Sequence, residues 1–220
     1  MCGRFANPCT AETLEESFAA AANLLMAKGW SGGRYNAAPT QALPIVRGDP
    51  AGGRQLDLMG WGWKPAWMRT GLLVNARGEE AAAKPTFASA LRLRRCLVPA
   101  TAFYEWRESD KQPFAYQRPD GLPYAIGGLW DPAGAADGSP AFLLLTVEAN
   151  AVVAPCHHRM ALIVPRLRWD AWLDPSTDAL QVATMIEPSP AEELVAVQVS
   201  RAVSNVGNEG PELLVPWLAP

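Results

Sequence analysis

Basic residues are not in excess in this 220-residue chain. Nineteen Lys and Arg stand against 22 Asp and Glu, a formal net charge of −3. That excludes a protein that coats nucleic acid through charge alone, although it leaves room for one basic groove. Long apolar runs are also missing. None approaches the roughly 18 residues of a membrane-spanning helix. The N-terminus lacks a secretory signal, because Arg4 is followed by no apolar segment and Glu12, Glu15 and Glu16 interrupt the stretch. The expected location is therefore cytoplasmic. Cysteine is sparse, at positions 2, 9, 96 and 156 with no CxxC pair, which predicts free thiols in a reducing compartment. Lysine is scarcer than arginine, 4 against 15. Arginine suits bidentate phosphate contacts, but a genome rich in G and C raises arginine and alanine as well.

Hydrophobic residues make up 49% of the chain and charged residues 19%. That is the composition of a globular domain with a sizeable core. Gly and Pro together number 38, too many for a helical bundle or a coiled coil. Leu14, Phe18, Ala21, Ala22 and Leu25 recur at helical spacing and predict one helix over 10–28. An irregular stretch is expected over 29–40. Strand-like runs bounded by Pro, Gly and Asp occupy 42–46, 55–61, 72–75, 96–98, 102–106, 114–117, 124–129, 141–147 and 194–199. Short helices are expected at 79–83, 87–93 and 166–173, and a surface loop at 131–140. The strands do not alternate with long helical crossovers. The expected architecture is a single α+β domain with a mainly antiparallel, barrel-like sheet.

Several residues carry chemistry. Cys2 becomes N-terminal if Met1 is removed, and then holds an α-amine and a thiol on adjacent carbons. Such a 1,2-aminothiol condenses with an aldehyde to a Schiff base and closes to a thiazolidine. Read alone, Cys2 is more readily an incidental residue of a frayed terminus. The only two histidines, His157 and His158, are adjacent. In an extended segment their rings point to opposite sides, so that one serves a site and the other faces elsewhere. A metal would need further ligands at suitable spacing, and none is evident. Glu105, flanked by aromatics in Phe103-Tyr104-Glu105-Trp106, is either a desolvated acid/base group or an outward-facing strand residue. Asn75 either caps a turn or presents an amide to a substrate. The stretch 61–69 interleaves Trp61, Trp63 and Trp67 with cations, a composition shared by base-stacking surfaces and by ordinary core turns.

Together these stretches, in their order and spacing, resemble the SRAP (SOS-response-associated peptidase) family, also called abasic site processing proteins. The resemblance spans essentially the whole chain. It rests on Met1-Cys2-Gly3-Arg4-Phe5, Arg34-Tyr35-Asn36-Ala37-Ala38-Pro39-Thr40, Trp61-Gly62, Asn75-Ala76-Arg77, Lys84-Pro85-Thr86-Phe87, Arg95-Cys96-Leu97-Val98-Pro99-Ala100, Phe103-Tyr104-Glu105-Trp106, His157-His158-Arg159-Met160 and Gly210-Pro211-Glu212-Leu213-Leu214. It implies a sensor of abasic sites in single-stranded DNA that ends as a thiazolidine cross-link. It also implies side activities of self-processing and strand cleavage. No cofactor and no metal are expected, and nothing in the sequence calls for more than a monomer. Carried over by motif, Cys2 is the nucleophile and Asn75 holds the reacting centre. Glu105 shuttles protons, and His157 assists sugar ring opening. Arg4, Arg77 and Arg159 grip phosphates, Asn36 joins the DNA-contacting set, and Trp67 stacks on bases. Gly78, Met68, Cys156 and Ala161 depart from the family pattern, and Cys156 adds a second thiol beside His157. The competing readings are a cysteine peptidase or amidase built on Cys2, His157 and Asn75, and a non-covalent single-strand binding module.

Overall fold

The computed structural model describes residues 2–217. The first half of the chain runs β1 (Phe5–Asn7), α1 (Ala11–Phe18), α2 (Asn23–Ala27), β2 (Arg34–Ala37), β3 (Ala42–Gly48), β4 (Arg54–Trp61), β5 (Asn75–Arg77), α3 (Gly78–Ala81) and α4 (Pro85–Leu93). Then follow β6 (Arg95–Ala100), β7 (Ala102–Trp106), β8 (Pro113–Gln117), β9 (Tyr124–Asp131), β10 (Ala141–Glu148), β11 (Arg159–Ala161) and β12 (Ile163–Val164). Next come α5 (Trp169–Leu173), α6 (Ala179–Ala183) and β13 (Val195–Gln198), and short 3-10 turns follow at Arg201–Ser204 and Pro211–Leu214.

Two sheets result, as the α+β reading requires. The larger closes on itself, because β10 pairs with β4, β4 with β3, β3 with β6, β6 with β9, and β9 again with β10. The smaller has the order β13-β8-β7-β1-β2. Pairing is antiparallel except where β10 runs parallel to β4 and β5. The core between the sheets holds Phe5, Trp61, Phe103, Tyr116 and Phe142, all essentially inaccessible. Each such side chain contributes roughly 1.5–3 kcal/mol of burial energy.

The helix expected over 10–28 is two helices. Thr10 caps the first by accepting from the Thr13 amide, and Ala11, Leu14 and Phe18 face the core. Ala19 ends it in the left-handed region at φ 46°. The periodicity continues past this point, but a stronger partner competes for the backbone. The Ala21 amide donates to the Arg54 carbonyl, the Leu56 amide donates to Ala21, and Gln55 Nε2 also donates to Ala21. Tertiary hydrogen bonds to β4 thus outweigh local helix propensity.

The irregular stretch over 29–40 contains β2, which pairs with β1 through Phe5↔Ala37. Its entry depends on Gly33, where a Cβ would lie 2.0 Å from Pro8 Cα. The run at 72–75 forms only a bridge, Trp63↔Leu73, before β5 begins at Asn75.

Alternation in the smaller sheet places the site. Phe5, Phe103 and Tyr116 point into the main core, while Ala6, Ala102, Tyr104 and Ala115 face a second cluster with Val199, Val203 and Leu213. Residues two apart on a strand share a face. Glu105 therefore lies on the side of Phe103, and it is buried rather than outward-facing.

Candidate active site

The candidate residues gather where the two sheets meet. Cys2 precedes β1, and Tyr104 of β7 donates its amide to the Arg4 carbonyl at 3.0 Å. Extending that antiparallel register by one or two residues brings Cys2 and Gly3 alongside Glu105. Cys2 is not frayed, because its exposure is 0%. Burial, with the Glu105 charge, pushes its thiol well above the usual cysteine range. The expected loss of Met1 concerns a residue outside those described.

Asn75 opens β5, which lies beside β10 through Leu144↔Asn75. Its Nδ2 donates to the Cys2 carbonyl at 2.8 Å. Its Oδ1 is enclosed and finds no donor among the described residues. A buried unpaired acceptor costs about 1–3 kcal/mol. Glu105 is raised by burial to about 7. A carboxyl at that value both gives and takes protons near neutrality.

His157 sits in the segment before β11. Its Nδ1 accepts from the Arg159 amide at 2.9 Å, and burial holds the ring below the usual histidine range. Its neighbour Cys156 is buried and hydrogen-bonds the Tyr116 hydroxyl. Burial and the Glu105 charge raise both groups. Tyr116 thus belongs to the Glu105 surroundings, although its sequence context looks like ordinary strand core. The two histidines do not point apart as an extended segment would have them. Their rings stack at 4.4 Å, because the chain bends at His158.

The residues proposed to contact DNA divide into two groups. Trp67 is 65% exposed. Arg77 is exposed and pairs with Glu80 at 2.8 Å. Trp61 and Trp63, by contrast, are core residues that donate to the Val74 and Ala141 carbonyls.

Asn36 is wholly buried. Its amide donates to the carbonyls of Val203, Asn205 and Asn208, and its Oδ1 accepts from Arg4. Arg4 also reaches the Val203 carbonyl and lies over the Trp106 ring. Arg159 is buried, with both terminal nitrogens on the Glu79 carboxylate and one also on the Thr146 carbonyl. Asn36 and Arg159 thus tie chain segments together inside the fold, whereas Arg4 is half-buried and bonds inward through one guanidinium nitrogen. A cavity of about 640 Å³ opens elsewhere, lined by Leu91, Val182 and Ile186, and it includes none of Cys2, Asn75, Glu105 or His157.

Comparison with known proteins gives a consistent picture. The SOS response associated peptidase (SRAP) family profile matches residues 1–206. Abasic site processing protein YoqW of Bacillus subtilis is 30% identical over 224 residues, covering 97% of this chain and 99% of that protein. YedK of Escherichia coli, of the same description, is 32% identical and covers 84% and 85%. HMCES of Gallus gallus, also so described, is 25% identical and covers 83% and 66%. A crystal structure of a protein from Bacteroides thetaiotaomicron shares the fold with a TM-score of 0.85 at 20% identity, covering 99% of this chain and all of that one. A second, from Bordetella bronchiseptica, gives 0.73 at 26% identity, covering 90% and 100%. With the profile spanning nearly all of the sequence, the chain belongs to the SRAP family.

Proposed function

We propose that this protein processes abasic sites in single-stranded DNA by forming a thiazolidine cross-link through a mature N-terminal Cys2. The relatives named above are abasic site processing proteins, and the geometry around Cys2 suits aldehyde chemistry. The observation that carries the reading is the Asn75 contact with Cys2, with its second amide atom enclosed and unpaired beside it.

The chemistry proceeds in balanced steps. The abasic sugar is mostly a closed hemiacetal, and His157 assists its opening to the aldehyde. The α-amine of Cys2 adds to the aldehyde carbon, and the nitrogen loses a proton to give a carbinolamine. Glu105 donates a proton to the departing hydroxyl, and one water leaves as the C=N bond forms. The thiol then adds to that carbon. Its proton returns to Glu105, which restores the carboxyl, and the five-membered ring closes on a neutral nitrogen. The net change is protein plus aldehyde giving adduct plus water. Asn75 positions the Cys2 main chain, and its Oδ1 accepts from the carbinolamine hydroxyl or the amine.

The state of the thiol weighs against a cysteine hydrolase. Such an enzyme attacks as a thiolate and lowers its thiol pKa, whereas burial here raises that of Cys2. An imine-forming enzyme attacks first through nitrogen and can keep the thiol protonated until ring closure. Trp67 and Arg77 supply the exposed stacking face and cation for the strand.

Intact mass tests the reading. The chain lacking Met1 is incubated with a single-stranded oligonucleotide that carries one abasic site. The expected product is a denaturant-stable gain of the oligonucleotide mass less one water, absent from Cys2→Ala. A full-yield adduct with Cys2→Ala, or none with the mature chain, would overturn it.

A further inference from the structure

His157 belongs to a second constellation that the DNA chemistry does not use. One ligand atom each from Glu108, His157 and His158 lie within 4.8 Å of one another. Glu108 is in the turn after β7 and the histidines precede β11, so the group bridges the two sheets. Glu108 and His158 are exposed, and His157 is half-buried. The ligand missing from the sequence pattern around the His pair comes from a loop about 50 residues away. We propose that Glu108, His157 and His158 bind one divalent ion of the zinc class, and that the bound ion withdraws His157 from sugar opening.

The donor set selects the ion. Two imidazoles and one carboxylate suit a borderline-soft cation with tetrahedral coordination, and water takes the fourth position. Magnesium and calcium prefer all-oxygen shells and gain little from imidazole. Tetrahedral bonds of about 2.0–2.1 Å place ligand atoms roughly 3.3 Å apart. Reaching that spacing requires the exposed Glu108 and His158 side chains to turn toward His157. The bend that stacks the two rings at 4.4 Å puts both on one side of the chain, which chelation by adjacent histidines requires.

His157 is also oriented for the task. Its Nδ1 lies 3.1 Å from the Arg159 carbonyl. Ligation through Nε2 would put the proton on Nδ1, which then donates to that carbonyl in place of the bond it accepts from the Arg159 amide in the ion-free chain, and a backbone carbonyl is a common outer-shell partner for a ligating histidine. The site needs no residue of the thiazolidine chemistry except His157. The inhibitory half of the proposal rests on the cross-linking reading, and the binding half stands without it.

Zinc chloride is titrated into the mature full-length chain and followed by competition with a chromogenic chelator. His158→Asn, Glu108→Gln and Cys2→Ala are compared. We expect one ion per chain and a loss of affinity of at least about tenfold in His158→Asn and in Glu108→Gln, with Cys2→Ala retaining the ion. Magnesium should not compete. In the adduct assay, zinc should slow the wild type over its binding range and leave His158→Asn at its zinc-free rate. The proposal is overturned if no zinc binds, or if uptake is lost in Cys2→Ala and kept in both other variants. Binding without an effect on the adduct rate overturns the inhibitory half. If no adduct forms in any condition, the cross-linking reading has failed, and the chelator competition still decides the metal site.

Discussion

The side-chain amide of Asn75 donates to the main-chain carbonyl of Cys2 at 2.8 Å. One residue opens a strand of the closed sheet, and the other precedes the first strand of the smaller sheet. The bond therefore couples the position of the N-terminus to the junction between sheets. Asn75→Ala should cut the adduct-forming rate by at least about tenfold, the cost of losing roughly 1.4 kcal/mol of positioning. Stability should fall by only about 1 kcal/mol. Single-turnover rates and thermal unfolding separate the two effects. An unchanged rate would remove Asn75 from the mechanism.

Glu105 makes the fold less stable in order to be useful. Its carboxyl titrates near 7 in the folded chain, against an ordinary value of 4.5. As pH rises from about 4.5 to 7, the unfolded chain loses a proton that the folded chain keeps, so stability falls across that window. Above 7 the penalty is constant. Cys2, Tyr116 and Cys156 surround it with pKa values raised above their own ordinary ranges, so none of them gains charge in the same window. Glu105→Gln should stabilise the chain at pH 8 by about 1–3 kcal/mol and be neutral near pH 4. Adduct formation should slow in the same variant. Thermal unfolding at both pH values checks this, and a variant less stable than wild type at pH 8 contradicts the desolvation account.

Trp67 and Arg77 should act on strand affinity alone. Trp67→Ala removes an exposed ring and is expected to weaken single-strand binding by about 1–3 kcal/mol. Arg77→Ala should lower the slope of log affinity against log salt by about 0.7. Neither should move the unfolding midpoint. Fluorescence anisotropy over a salt series measures both, and unchanged affinities would place the strand on another face.

Arg159 should behave in the opposite way. Its guanidinium joins Glu79 to Thr146 inside the fold. Arg159→Ala is expected to cost about 1–3 kcal/mol of stability and to leave the salt slope unaltered. A reduced slope with normal stability would return it to the phosphate contacts.

The strand pattern was largely legible in sequence. The runs at 42–46, 55–61, 96–98, 102–106, 114–117, 124–129 and 141–147 all lie within observed strands, because each combines β-branched or aromatic residues with Pro, Gly or Asp at its ends. The break of the first helix at Ala19 was not legible. Its apolar spacing continues unbroken, and only the backbone of β4 competes for Ala21. Gly78 is a similar case. It departs from the family pattern, and a Cβ there would lie 2.5 Å from Ile186 Cγ2, a contact made across more than 100 residues.

The residue types of the chemistry were determined by sequence alone. A Cys at position 2, an Asn in Asn75-Ala76-Arg77, a Glu between aromatics and a His before Arg-Met are local patterns that can be read in order. Which of them meet, and which cations face solvent, was decided by tertiary structure. Arg77 and Arg159 look alike in sequence, yet one is exposed and the other is enclosed against Glu79. Glu108 shows no local sign of belonging with His157 and His158. Pairing of distant strands sets burial and proximity, and these in turn set the pKa of Glu105, the orphaned acceptor of Asn75 and the three-ligand cluster. No local pattern encodes them.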